Sequence, residues 1–527
     1  MVGVLLIAGS LRAYPGRVIQ AFPAPGKFCS GLCFDGEALW ISDYKTDMIY
    51  KVDPISGKVL HQIPSPGFWP MGLAWDGVCL WNVDKKQKKI FKVNPKDGSI
   101  LLTLDAPCNK PEGLTWDGNT LWVGESKKNE ILKIDMNDGT AVQKFTGPAK
   151  SVNGCSYDGR YLWSSDRFLD EIYMIDPESG EVILILDAPG FYARGLAFNG
   201  RDLWNVDSQS DSVYLIIRQD DEPYQLSDTR KARMTFTNQV KIYGNGNVRR
   251  LTATIAVPWN MPQQKIRRID FSPVDPKQVE DRWHQSLALF AYENIASNRT
   301  IESVMTVHAE ISAIRYAIFP DRVGSLKSIP KEIRQPYTVN GSKYLIDDPY
   351  IQQLSQKIVG NEKNPYWMAR RIFDYVRTHV EYKLEGGWNV APVVLKRGTG
   401  SCSEYTISFI ALARAAGLPA RYVGAILVRG DDASLDDVFH RWPEVYLPNY
   451  GWVPIDPQGG DKSLARDRAK AIGSLPNRFL ITTQGGGDSE YLGWYYNDHN
   501  YFESDPQVMV HIESFAEWEP VMEVPGN

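Results

Sequence analysis

Over roughly the first 217 residues, apolar side chains fall in short alternating runs broken by polar turns, and the runs recur at a fixed step. Gly31, Gly72, Gly113, Gly154 and Gly195 stand 41 apart, and Trp40, Trp81, Trp122, Trp163 and Trp204 keep the same interval. Between the two series lie Asp35-Gly36, Asp76-Gly77, Asp117-Gly118, Asp158-Gly159 and Asn199-Gly200. Such dipeptides flanked by apolar runs are the strongest short-range hairpin signal. Each unit therefore reads as four strands, and four strands per ~41 residues predict the blades of a β-propeller. The fourth strand of the fifth unit would begin near 221, where Asp220-Asp221-Glu222-Pro223 is not strand-like, whereas an orphan strand stands at Arg17 to Phe22. The expectation is a propeller over 16–218 whose N-terminal strand completes the last of five blades; six blades is the alternative if residues outside the repeat add a degenerate one.

The repeated residues have structural explanations. Glycine suits a crowded innermost strand, tryptophan packs between blades, and Asp43, Asp84, Glu125, Asp166 and Asp207 serve as hydrogen-bonding groups of the turns. A ligand is expected where the repeat breaks. The residue before each inner-strand glycine varies: Ser30, Met71, Glu112, Asn153, Arg194. With the loop aromatics Phe28, Phe68, Trp69, Phe191 and Tyr192 they form a candidate rim, of which Trp69, Glu112, Asn153, Tyr192 and Arg194 are the candidate contacts for a protein or glycan ligand. The repeat resembles the short-repeat propellers related to the NHL and lactonase-like families.

Residues 219–230 read as a polar linker. Alternating stretches then return at 240–243, 251–257, 287–292, 304–309 and 315–318 with no helix between them, which predicts a β-sandwich over 231–330 acting as a spacer or substrate contact. Helices follow. Asp348-Pro349 starts one that ends at Gly360, and Asn364-Pro365 starts another reaching about Val380, each with a capping residue before a proline at the first helical position.

Gly400-Ser401-Cys402-Ser403-Glu404-Tyr405 reads as the start of a further helix. Ser401 and Glu404 have the spacing of a capping box, which aims the first-turn N–H groups and the positive helix end at the sulfur of Cys402. Both effects lower a thiol pKa. The helix body is apolar nearly all round and stops at Gly417-Leu418-Pro419. A buried strand (420–428) comes next, then a hairpin whose arms are His440-Arg441-Trp442-Pro443-Glu444-Val445-Tyr446 and Trp452-Val453-Pro454-Ile455-Asp456. If residues 446 and 452 flank the turn, Trp442 faces Asp456; a shift by two puts His440 there. In either register the even-numbered side chains share a face, so His440 and Asp456 are placed to meet. The tail carries strand-like stretches at 479–482 and 508–511, expected to finish the sheet of the same domain, and Gly485-Gly486-Gly487 is expected to be a flexible loop.

Cys402, the Gly417-Leu418-Pro419-Ala420-Arg421 turn, His440-x-Trp442-x-Glu444-Val445-Tyr446 and Gly451-Trp452-Val453-Pro454-Ile455-Asp456-Pro457 resemble the core motif of the transglutaminase-like superfamily, a distant relative of the papain-like cysteine proteases. The resemblance covers about the last third of the chain and implies an α+β catalytic domain over 336–527. It implies Cys402 as nucleophile, His440 as base and Asp456 as the residue that orients it. Ser403 and Glu404 depart from many relatives, which bears on substrate. Trp388 and Trp442 are candidate substrate contacts. The activity expected is cysteine-dependent acyl transfer on protein or peptide amides through a thioester, as peptidase, deamidase or transglutaminase, with hydrolysis favoured over crosslinking. The alternative is a non-enzymatic binding protein with an inert C-terminal domain.

Composition changes this picture little. With 527 residues the chain is long enough for several domains, and a net charge of −5 gives no sign of nucleic-acid binding. Six cysteines are too few for a disulfide scaffold at this length, and Cys402 stands apart from the other five. No cofactor or metal is called for. No run reaches the ~18 apolar residues of a spanning helix. The apolar stretch within 1–15 resembles a signal segment and favours an extracytoplasmic location over a cytoplasmic one.

Overall fold

The computed structural model describes residues 14–384, 389–428 and 434–520. Most of the signal-like stretch therefore lies outside the described residues. Contacts divide the chain into two compact units, one running to Pro223 with the addition of Lys462–Ala469, the other taking Tyr224–Asp461 and the chain from Lys470 onward.

Among its described residues the first unit holds five four-stranded antiparallel sheets, propeller-like in their repetition. Its repeats alternate Cys29–Phe34, Leu39–Asp43, Met48–Val52 and Val59–Pro64, then the equivalent strands of the next units. The sheet of Ala193–Phe198, Leu203–Asp207 and Ser212–Ile216 takes its outer strand, Val18–Pro23, from the N-terminus. The inner strands touch one another in a closed cycle. Glycine makes that approach possible: a Cβ on Gly31 would lie 2.0 Å from the carbonyl oxygen of Met71, and one on Gly154 would lie 2.1 Å from that of Arg194.

The Asp-Gly turns do more than reverse the chain. One carboxylate oxygen of Asp35, Asp76, Asp117 and Asp158 accepts backbone N–H groups of its own turn, and the other accepts the indole N–H of Trp40, Trp81, Trp122 or Trp163 at 2.8–2.9 Å. In the fifth unit Asn199 accepts the turn N–H groups but cannot offer a second acceptor, and the buried Trp204 indole nitrogen has no partner. The second acidic series behaves as expected from sequence. Asp84 accepts from the N–H groups of Trp69, Lys86 and Gln87, and Asp207 from those of Tyr192, Gln209 and Ser210.

Lys462–Ala469 packs within this first unit. Ala465 and Ala469 join the apolar cluster of Val152, Cys155, Tyr173 and Val182. Arg466 forks onto Glu171 at 2.5 and 2.7 Å, and Arg468 onto Glu181 at 3.1 and 2.6 Å.

In the second unit two sheets share one core. The first has the order Gln264–Ser272, Arg299–Tyr316, Tyr224–Gly244, Val508–Pro520, Ser434–Asp436, and the second Lys277–Glu280, Ser286–Ala296, Asn247–Ala256, Asp498–Ser504. Met234, Phe236, Met305 and Val307 of one meet Ala253, Ile255, Ala288 and Phe290 of the other. Four sequence expectations change here. The polar linker ends at Pro223, because Tyr224 already pairs with Tyr316 and their rings lie 5.4 Å apart; pairing, not alternation, makes this segment a strand. Val508–Pro520 pairs with Tyr224–Gly244 and not with the sheet next to Cys402. The sandwich is not a detached spacer, since Ile426, Val428 and Leu480 are buried in its core. The glycine run is not loose: Gly485 and Gly486 lie against the Trp283 indole, which donates to the Gly487 carbonyl at 2.8 Å.

The remaining sheet has the order Gly451–Pro454, His440–Leu447, Ala420–Leu427, Phe479–Gly485, and is accompanied by the helices Pro349–Val359, Pro365–His379, Ala391–Arg397 and Cys402–Ala415. Asp348 and Asn364 cap the first two as the sequence predicts, accepting from the N–H of Tyr350 and of Tyr366.

If the indole–carboxylate bond stabilises the repeat, Asp117→Ala, which orphans the buried Trp122 donor, costs about 1–3 kcal/mol, and Asn199→Asp, which supplies Trp204 with an acceptor, gains about 1 kcal/mol. Denaturant midpoints of the two variants should move in opposite directions; unchanged midpoints for both would remove the bond from the account.

Candidate active site

Burial forces the helix Cys402–Ala415 into one place. Ile407, Phe409, Ile410 and Leu412 are almost wholly buried. Each such side chain contributes roughly 1.5–3 kcal/mol through its removal from water. The N-terminus is closed by the capping box that the sequence predicts: Ser401 accepts from the backbone at Glu404, and Glu404 Oε2 accepts the Ser401 N–H at 2.9 Å. Arg397 donates to the other Glu404 oxygen at 2.8 Å. Ser403 and Glu404 are both buried, so they shape the helix start and not a substrate surface. Cys402 is the first residue of the helix, and its own N–H has no intrahelical acceptor.

The histidine strand pairs Ala425 with His440 on one side and Tyr446 with Trp452 on the other. This is the unshifted hairpin register, which would set Trp442 opposite Asp456. The carboxylate nevertheless reaches His440, because the partner strand ends at Pro454 and Asp456 donates its N–H to the Ala471 carbonyl at 2.8 Å. Asp456 Oδ2 is then 2.9 Å from His440 Nε2, while Oδ1 accepts the Gly459 N–H at 2.9 Å. Gly459 has to be glycine here, since a Cβ would lie 2.6 Å from Asp456 Oδ2. With Nε2 engaged, Nδ1 is the ring nitrogen left for the sulfur, and Cys402 and His440 are hydrogen-bonded through their side chains.

The electrostatics follow from these contacts. Burial pushes the Cys402 thiol upward, but the hydrogen bond and charge of His440, then Arg441, prevail and hold it below the ordinary 9.0. Burial pulls the His440 imidazolium down, and the Asp456 carboxylate with the Cys402 sulfur overcomes that, raising it to about 10. Asp456 is itself held below the ordinary carboxylate range, burial being outweighed by His440. The three groups thus shift the balance toward a thiolate–imidazolium pair.

The structure brings Cys402, His440 and Asp456 together. Trp442 is fully buried, its ring 5.7 Å from that of His440 and 4.9 Å from that of Phe479, which itself stacks on His440 at 5.6 Å. It is a floor beneath the imidazole, which corrects its reading as a substrate contact. Trp388 lies outside the described residues. Of the motif residues, Arg421 donates to Glu444 at 2.8 Å across the paired strands and covers Trp452, with 4.2 Å from its Cζ to the ring centroid. Sequence reading missed Arg441 and Thr406. The buried Arg441 guanidinium lies 4.1 Å from the Tyr496 ring centroid and 4.7 Å from that of Tyr422, and its charge faces the thiol. Thr406 Oγ1 bonds the carbonyls of both Cys402 and Arg441, at 2.8 and 3.2 Å, tying helix to strand. An arginine directly between His440 and Trp442 of the motif was the available signal for the first; the second, one turn along the helix from Cys402, had none.

The five rim candidates are also contiguous. Glu112 accepts from Asn153 at 2.8 Å and from Arg194 at 3.4 Å; Lys85 pairs with Glu112 and lies over the Trp69 ring; Arg194 lies over the Tyr192 ring. Among the described residues no group of three or more His, Cys, Asp or Glu is placed to hold a metal ion, and no helix is long and apolar enough to cross a membrane.

Residues 352–457 match the model of the transglutaminase-like superfamily, and the matched stretch spans Cys402, His440 and Asp456. The chain therefore carries a transglutaminase-like domain. It is 26% identical over 236 residues to an uncharacterized protein of Haemophilus influenzae, a stretch covering 38% of this chain and 62% of that one. It is 26% identical over 149 residues to the uncharacterized protein YebA of Bacillus subtilis, covering 23% of this chain and 20% of that one. The chain thus spans less than two thirds of either relative. Among solved structures it is similar to a candidate cysteine protease from Cytophaga hutchinsonii (17% identity, TM-score 0.40, 55% of this chain and 92% of that one). It is also similar to virginiamycin B lyase from Staphylococcus aureus (19% identity, TM-score 0.26, 37% of this chain and 68% of that one).

The ion pair sets a pH dependence. The thiolate is lost as pH falls through the depressed Cys402 pKa, and the imidazolium is lost as pH rises through about 10. Iodoacetamide should therefore alkylate Cys402 at a lower pH than it alkylates an ordinary thiol. Asp456→Ala removes the charge that keeps His440 protonated and should slow alkylation near pH 7 by about tenfold or more. Equal rates in the variant and the parent would show that the carboxylate does not support the pair.

Proposed function

We propose that the protein is a cysteine-dependent acyltransferase or hydrolase acting on protein or peptide amides, with Cys402 as nucleophile, His440 as general acid and base, and Asp456 as the group that orients His440. The observation that carries this reading is the hydrogen-bonded series Cys402, His440, Asp456, built from a helix N-terminus and the end of a hairpin.

The chemistry follows from the ion pair. The Cys402 thiolate adds to the amide carbonyl carbon, and the resulting oxyanion meets the free N–H at the helix start. On collapse the C–N bond breaks. The leaving amine takes the proton from His440, and the acyl group remains on sulfur as a thioester. Neutral His440 then removes a proton from water or from an acceptor amine, the new nucleophile adds to the thioester, and the C–S bond breaks to return the thiolate. Water yields a carboxylate, and an amine yields a new amide. Asp456 keeps the imidazole in the tautomer and orientation that both steps use. The N-terminal propeller, residues 16–218, serves in this reading as the module that recognises the substrate or a partner.

Rapid acid quench of the protein with a peptide mixture, followed by mass spectrometry, should find an acyl adduct on Cys402 that is absent from His440→Ala. Incubation in heavy-oxygen water with and without methylamine then separates hydrolysis from transfer. A chain that shows no adduct, and whose Cys402 reacts with iodoacetamide no faster than an ordinary thiol, is a binding protein and not this enzyme.

A further inference from the structure

The repeat of the first unit breaks at one end of its inner strands, and the substitutions there are not random in kind. Ser30 and Met71 fill part of the ring with small or apolar groups, whereas Glu112, Asn153 and Arg194 make the rest of it polar and, at Glu112 and Arg194, charged. Glu112 is the hub: it accepts from Lys85, Asn153, Arg194 and Ser126. Asn153 in turn accepts the Arg167 N–H at 3.2 Å, and Arg167 donates to the Tyr192 hydroxyl.

Two features do not fit a self-contained network. Two cations, Lys85 and Arg194, converge on one carboxylate, the Arg167 guanidinium meets only the neutral Tyr192 hydroxyl and aromatic rings, and the neighbouring carboxylates of Asp166 and Asp207 are taken up by backbone N–H groups. Moreover, Arg194 is only 7% exposed, yet its Nε has no hydrogen-bond partner, and the buried Nε of Arg167 is in the same condition. Buried guanidinium donors left unpaired are costly and are ordinarily satisfied by an anion.

The surroundings match. The turns that project from this end carry Lys86, Lys88, Lys127, Lys128 and Lys150, and exposed aromatic rings at Phe68, Trp69, Phe168 and Phe191 stand beside them. A cationic centre inside an aromatic collar suits an anion attached to an apolar body. We propose that this end of the propeller is a binding site for a peptide carboxylate, held by the Arg194 guanidinium with Arg167 beside it, the adjoining residue of the peptide lying on the aromatic collar. The proposal rests on reading the first unit as the recognition module, and it does not depend on the chemistry of Cys402. Glu112 has a defined part: it pairs with Lys85 and Arg194 and competes with the ligand for them.

Calorimetric titration of the full chain carrying Cys402→Ser, in which turnover cannot intervene, tests this. The probes are acetyl-Trp-Ala with a free carboxylate, the same peptide as its C-terminal amide, acetyl-Trp-Glu amide, and inorganic phosphate. The acid should bind and its amide should not; binding of the Glu peptide assigns a side-chain carboxylate as source, and its failure assigns the chain terminus. Arg194→Gln should weaken the acid by at least about tenfold. Glu112→Gln should strengthen it by about threefold or more, a sign that a purely structural role for Glu112 would not produce. Arg167→Gln provides a second loss-of-binding variant should Arg194→Gln fail to fold. Equal binding of acid and amide, phosphate binding without either carboxylate peptide, no binding at all, or unchanged affinity in folded arginine variants would each overturn the proposal. Because the assay does not read turnover, its failure leaves the thioester experiment untouched, and the reverse also holds.

Discussion

The 2.9 Å contact between the His440 imidazole and the Asp456 carboxylate is the interaction on which the candidate site depends. Without the carboxylate, burial would leave His440 neutral and Cys402 an ordinary apolar-site thiol. With it, the imidazole holds its proton and the sulfur can hold a negative charge. The fold places this contact by ending a strand early. After a last hairpin bond from the Ile455 N–H to the Pro443 carbonyl the chain turns to the Ala471 carbonyl, and a carboxylate that would have faced Trp442 reaches two residues further along. Trp442 and Phe479 then fix the plane of the ring from below.

The two units use opposite strategies for positioning polar groups. Around Cys402 a single helix start and a single strand end provide the chemistry, and the rest of the second unit, sandwich strands included, forms the continuous core that keeps them in register. In the propeller the same carboxylate–indole bond and the same glycine contact recur in most units, so the scaffold is redundant and individual positions are free to diverge. Divergence is concentrated before the inner-strand glycines, where Glu112, Asn153 and Arg194 replace the small or apolar groups found at the other two positions.

Much of this was legible in the chain itself because the signals are local. The 41-residue step, the Asp-Gly turns, the proline-preceded caps and the Ser401/Glu404 box each specify a short segment, and each was recovered as a blade strand, a helix start or a cap. The triad residues were recoverable because His440 lies on one arm of a hairpin and Asp456 follows just past the end of the other. What sequence reading missed is non-local. Residues 224–230 look like linker because their strand character comes from a partner some 85 positions on, and Val508–Pro520 was assigned to the wrong sheet because its partner begins at Tyr224. Trp442 was misread for a related reason: alternation says which face a side chain takes, but not whether that face is open to solvent or covered by Phe479.

The protonation state of His440 tests the account most directly. Nitrogen-15 NMR of the imidazole in the intact protein should show a cation through the neutral range that titrates near 10, and a much lower midpoint in Asp456→Ala. A His440 that titrates near the ordinary 6.5, unchanged by removal of the carboxylate, would contradict the thiolate–imidazolium pair and with it the proposed chemistry.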